Sequence, residues 1–159
     1  MEIFGSKGFY NCDDKDFLYK ISDLENHSNI PFNDISKKVL HKLSRELLTS
    51  SFSKKIPQLV ALGFWLRPAQ INEMYLKSIS QTDKSSISVS RGLAFHLPPQ
   101  NVDTLFVYSW SLSLLAGNIN IVRLPSEMTI VLEWLIDLIF DILKEFKIDH
   151  EQIFCRFGT

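Results

Sequence analysis

Residues 92–127 read GLAFHLPPQNVDTLFVYSWSLSLLAGNINIVRLPSE, and the order of residue types in this stretch sets the expected fold. A short apolar run, Leu93 to Leu97, meets Pro98 and Pro99, which cannot donate to a strand ladder, so a strand ends there. A helix is expected from near Asn101 to Ala116, stopped by Gly117 and Asn118, residue types that accept the left-handed backbone at a helix end. Ile119 to Leu124 reads as a second strand closed by Pro125, and Ser126 can cap a further helix from Glu127 to about Phe146. Strand, helix, strand, helix is the grammar of a parallel βαβ unit. Such sheets bind ligands beyond the carboxyl ends of their strands. Here those ends carry Pro98 to Asn101 and Arg123 to Glu127.

Outward from this unit, Thr129, Glu133, Asp137, Asp141 and Glu145 recur every four residues as one polar stripe on an otherwise apolar helix. That pattern predicts a helix covered on most of its circumference. Like charges four apart cost a few tenths of a kcal/mol each, so solvent or a nearby basic group must offset them. Ile153 to Phe157 reads as the start of a third strand, and Leu93 to Leu97 as a strand buried on both faces. Upstream, a helix is expected from Asn33 or Asp34 to about Thr49, with Ile35, Val39, Leu40, Leu43, Leu47 and Leu48 as its apolar stripe. Lys37, Lys38, Lys42 and Arg45 fall on the other side, the pattern of a solvated face. Lys54 to Ser80 is helical text that Pro68 divides in two. Three segments follow: an amino-terminal arm over 1–32, a helical front piece with a Ser-rich linker over 33–88, and the αβ unit over 89–159.

The 159 residues are 45% apolar and 22% charged, the composition of a globular chain able to bury a core. A formal net charge of -1 gives no reason to expect nucleic acid or an anionic membrane as partner. No apolar run reaches the roughly 18 residues of a bilayer span. Cys12 and Cys155 stand far apart without a CxxC pair or a signal peptide, so a reducing, cytoplasmic setting is expected. A nearly all-round apolar helix above so few strands leaves hydrophobic surface uncovered. The chain is therefore expected to be the front part of a larger protein, an incomplete domain, or to pair with something that completes the sheet.

The segments PPQNV (98–102), LLAGNINIVRLPSE (114–127) and ALGFWLRPA (61–69) resemble the acyl-CoA reductase (LuxC) family, a branch of the aldehyde dehydrogenase superfamily. The similarity covers roughly residues 33–157, with a core of about 36. It implies a Rossmann-like parallel βαβ core of the aldehyde dehydrogenase type, preceded by helices, and a reductase that uses NADPH or NADH to turn an acyl-CoA or acyl-protein thioester into an aldehyde. It also implies a homo-oligomer or an acyl-transferring partner protein. In that family a cysteine attacks the thioester, and a preorganised amide holds the oxyanion.

By the motif match Asn101 is the oxyanion amide, and local chemistry also allows it to cap the following helix. Arg123 stands where the superfamily has a lysine facing the adenosine ribose, although Leu124 separates it from Pro125, which departs from the usual Lys-Pro-Ser-Glu box. A guanidinium fork suits a 2′-phosphate, which tilts the cofactor towards NADPH. Ser126 and Glu127 approach the same ribose by resemblance, and are equally what any helix start prefers. No GxGxxG fingerprint corroborates nucleotide binding. The family's nucleophile lies downstream of the ribose box, beyond Thr159, so this chain alone is expected to be catalytically silent. Cys155 reads as a buried strand residue, and Cys12 sits beside Asp13 and Asp14, which disfavour a thiolate. His96 reads as a satisfied core histidine, Trp65, Trp110 and Trp134 as core aromatics, and the histidine spacings assemble no metal site. Two other readings stand beside the reductase: an interaction or structural fragment of the same fold without the chemistry, and an aldehyde dehydrogenase branch acting on a free aldehyde.

Overall fold

The structure, a computed structural model, describes residues 1–5, 8–24, 29–81, 85–99 and 102–156. Its elements in order are β1 (Glu2–Gly5), β2 (Gly8–Asn11), α1 (Asp14–Leu24), α2 (Asp34–Thr49), α3 (Pro57–Trp65), α4 (Pro68–Gln81), β3 (Leu93–His96), α5 (Leu105–Leu115), β4 (Ile119–Arg123), α6 (Ile130–Glu145) and β5 (Gln152–Arg156). The fold is mixed α/β. Five strands form one sheet in the order β2-β1-β5-β4-β3, with β3, β4 and β5 parallel and β1 antiparallel to both β2 and β5.

The parallel trio follows the expected grammar. Because the strand order advances steadily from β3 to β5, crossovers of one hand bring α5 and α6 onto the same face. There Trp110, Leu135, Ile139 and Leu143 close over Val122 and Phe154, and α2, α3 and α4 add an outer layer. Each fully buried Leu, Ile or Phe contributes about 1.5–3 kcal/mol against exposure. The opposite face holds a smaller core, Ile3, Ile119, Ile121, Ile153 and Cys155, over which α1 lays Phe17 and Ile21.

Three expectations change. Within the segment expected as an amino-terminal arm, β1 and β2 pair antiparallel with each other and β1 pairs with β5, where Glu2 stands opposite Arg156 and their side chains form an ion pair. Opposite charges facing one another across strands favour this register. The strand buried on both sides is β4, where Ile119 to Val122 are all buried. β3 is an edge, with Leu93 38% and Phe95 50% exposed, because it has one neighbour and no helix over its outer face. Finally, both later helices start further on than expected. Thr104 occupies the cap position of α5, and Thr129 caps α6 by accepting the Leu132 N–H at 3.1 Å, which leaves Ser126 and Glu127 in an exposed bend.

Elsewhere local chemistry sets the boundaries as expected. Asn33 caps α2, its side chain accepting from the Ser36 N–H at 2.9 Å. Pro68 ends the α3 run and opens α4. Ser44 donates to the Gly63 carbonyl at 2.7 Å where α2 and α3 meet, and a Cβ at Gly63 would lie 3.0 Å from that of Leu47. On α6 the acidic stripe is solvent-exposed, and Lys42 pairs with Glu145 at its end. Partial burial, then the like charges of Asp141 and Glu133, hold the Asp137 carboxyl above its usual range.

The turn after α5 carries the tightest backbone approach. Gly117 has φ 81°, its N–H returns to the Leu114 carbonyl at 3.0 Å, and the Asn118 N–H returns to Ser113 at 3.1 Å. This is a Schellman ending, with glycine at the left-handed position. The Asn29 N–H donates to the Gly117 carbonyl at 3.2 Å, and a side chain at 117 would overlap the Asn29 carbonyl oxygen. Gly117→Ala therefore meets left-handed strain of about 1–2 kcal/mol and displaces a main-chain contact whose bond contributes about 1 kcal/mol. Urea unfolding should register a loss of about 2–4 kcal/mol; a loss below about 0.5 kcal/mol would show that this turn is not as described.

Candidate functional site

The carboxyl tips of β3, β4 and β5 lie along one edge of the sheet, as parallel pairing requires. Arg123 ends β4, its guanidinium region exposed, and it shares a small hollow of about 40 Å³ with Leu97, Pro98, Leu124 and Pro125. This is room for roughly one water molecule, so a larger ligand here would lie across the edge rather than sink into it. Of the expected site residues, Arg123 at the end of β4 and Ser126 and Glu127 in the bend after it are exposed, with buried Leu124 between them. Asn101 lies outside the described residues. The Leu97-Pro98 turn that precedes it does meet the Arg123 tip.

On the next strand, Cys155 pairs in register with Arg123. Burial pushes its thiol up to about 11, and the Arg123 charge opposes that rise only in part. Reactive thiols require the reverse shift. Cys155 is fully buried and Cys12 is 7% exposed in the smaller core, so Cys12 belongs to a packed layer rather than to an arm. Among the described residues no group of three His, Cys, Asp or Glu side chains could hold a metal ion, and no helix is long and apolar enough to cross a membrane.

Towards the amino ends of β4 and β5, away from the Arg123 tip, runs a polar chain whose two amides went unremarked in the sequence. Trp110 Nε1–H, from α5, donates to Gln152 Oε1 on β5 at 2.9 Å. Asn120 Nδ2, from β4, donates to the same oxygen at 2.9 Å and to the Asn118 carbonyl at 3.0 Å. His96 Nε2, on β3, lies 2.9 Å from Asn120 Oδ1. Asn120 and Gln152 are 0% and 2% exposed. An indole N–H only donates, so it fixes the orientation of every group behind it. Gln152 must present oxygen to Trp110, Asn120 must present nitrogen to Gln152, and Asn120 is then left with oxygen for His96. His96 therefore carries its proton on Nε2, and its Nδ1 has no partner among the described residues. The signal in the sequence was a lone Asn inside the apolar run INIVR and a Gln opening QIFCR. Such residues in buried strands need partners.

Comparison with known proteins returned no match: no family model, no curated protein and no solved structure matches this chain.

The hydrogen-bond chain makes one spectroscopic demand. Long-range proton–nitrogen correlation of the neutral His96 ring should show the Nε2–H tautomer, and Asn120→Leu should release that preference. A ring protonated at Nδ1 would mean that the amides face the other way.

Proposed function

We propose that this chain carries the cofactor-facing edge of a Rossmann-like, NAD(P)H-dependent acyl-thioester reductase of the aldehyde dehydrogenase type. In this reading Arg123 takes the ribose hydroxyls or the 2′-phosphate of the dinucleotide, and Ser126 and Glu127 approach the same ribose. Asn101 supplies the amide for the oxyanion of an acyl-CoA or acyl-protein thioester. Neither Cys12 nor Cys155 is the nucleophile, since both are buried and Cys155 holds its proton.

The observation that carries the reading is the exposed guanidinium at the tip of a parallel β4, beside the Leu97-Pro98 turn of β3. Parallel strand tips are where nucleotides bind in α/β sheets, and a guanidinium presents two parallel donors to a phosphate. A lysine there would bind as a point charge, so arginine favours the phosphorylated cofactor.

A second reading, an interaction module, is favoured by the apolar edge: Leu93, Phe95 and Leu97 are 38%, 50% and 64% exposed. Calorimetric titration of the chain with NADPH and NADH separates the two. The reductase reading expects saturable binding with NADPH the tighter, weakened about 10- to 100-fold in Arg123→Ala, as befits a charged hydrogen bond of about 1.5–3 kcal/mol. Absence of binding by either dinucleotide, with self-association in light scattering, would overturn it in favour of the interaction module.

A further inference from the structure

A hollow of about 650 Å³ lies between α2, the start of α4 and the end of α6. The end of α6 leads by a short turn into the start of β5, so this hollow sits towards the amino ends of the parallel strands, away from Arg123. Its volume is in the range of small-molecule sites, about 300–1,000 Å³.

The wall is basic. Lys38, Lys42 and Arg45 come from successive turns of α2, and Arg67 from the junction of α3 with α4. Lys42 is paired with Glu145, the carboxylate at the rim. Arg45 approaches Glu46 only at 3.5 Å, with its own side chain 67% exposed. Lys38 has no acidic partner among the described residues. Arg67 gives its Nε–H to the Phe64 carbonyl at 3.1 Å and stacks 4.8 Å from the Phe64 ring centre. Those contacts orient its fork without neutralising it. Burial, then the Lys37 charge, hold the His41 imidazole below its usual value, so His41 adds no charge at neutral pH. The surplus of three positive charges stands out in a chain of formal net charge -1.

A solvated helix face would explain the lysines of α2 but not an open groove of this size walled by three helices. Leu48, Pro68 and Phe146 add apolar surface to the lining beside the cations.

We propose that this hollow binds an organic phosphate, with Lys38, Arg45 and Arg67 on the phosphate oxygens and Leu48, Pro68 and Phe146 against the apolar body that carries it. Bidentate guanidinium contacts suit phosphate geometry, and the apolar wall sets the preference for a substituted phosphate over the free ion. The site is independent of the strand-edge reading.

The test uses the whole chain in the Arg123→Gln background, so that the strand edge contributes nothing. ADP, inorganic pyrophosphate and adenosine are titrated by calorimetry, and ADP binding is mapped by amide chemical shifts. The expected result is saturable binding of ADP, at least tenfold weaker binding of pyrophosphate and of adenosine, and shifts clustered over 38–49, 67–68 and 145–146. Replacing two of the three exposed cations, Lys38→Gln with Arg67→Gln, should weaken ADP at least tenfold. No saturable ADP binding, or binding that the double substitution leaves unchanged, would overturn the site. Pyrophosphate binding as tightly as ADP would overturn the role of the apolar wall.

Discussion

One buried oxygen ties the layers of this molecule together. Gln152 Oε1 accepts from the indole of α5 and from the carboxamide of β4 while its own backbone belongs to β5. Leaving such donors unpaired in the core costs about 1–3 kcal/mol each, so the arrangement selects one placement of α5 over the sheet and one register between β4 and β5. A slip of one residue between β4 and β5 would put the two amides on opposite faces of the sheet and bring an apolar neighbour into the place of one of them. The same chain of bonds continues to β3 through His96, so the three parallel strands are linked side chain to side chain as well as by their ladders. The Gln152 Nε2 has no partner among the described residues, so the network is not fully satisfied by them.

The linkage sets the register of β4 and β5 from their amino ends, and the row of strand tips at the other end follows from that register. With β4 held at the centre, Arg123 emerges beside the proline turn of β3, and Cys155 is locked beneath it as a buried thiol. The two faces of the sheet are unequal. Five helices thicken one face, whereas α1 alone covers the other, and only towards β1, β5 and β4. The open corner at β3 is the consequence, and it leaves Leu93, Phe95 and Leu97 exposed to water. Edge strands of this kind invite pairing with another chain.

The parallel trio was legible in the sequence because each of its boundaries is punctuated: Pro98-Pro99, Gly117-Asn118 and Pro125 act through local backbone chemistry that tertiary context does not override. The break at Pro68 was legible for the same reason. The pairing at the amino end was not, because β1 and β2 are four residues each and the strand that β1 joins, β5, lies some 150 residues away. No local pattern reports a pairing of that span. The exposure of β3 was misjudged because an apolar run reads alike in a central strand and at an edge, and only the strand order distinguishes them. Ser126 looked like a cap because it follows a proline, but the chain spends three more residues turning before Thr129 takes that role. As for the candidate sites, single residues such as Arg123 could be singled out from their place after a strand. The basic hollow could not, since it forms only when Arg67 and Phe146 are brought to the face of α2.

The shared Gln152 oxygen is best tested by a double-mutant cycle in urea, pairing Trp110→Phe with Gln152→Leu. Residues joined in one network show coupling energies of about 0.5–3 kcal/mol, whereas independent sites add within about 0.3–0.5 kcal/mol. The expected result is a double variant less destabilised than the sum of the singles by at least about 1 kcal/mol. Strict additivity would contradict the linkage of helix, strands and site described above.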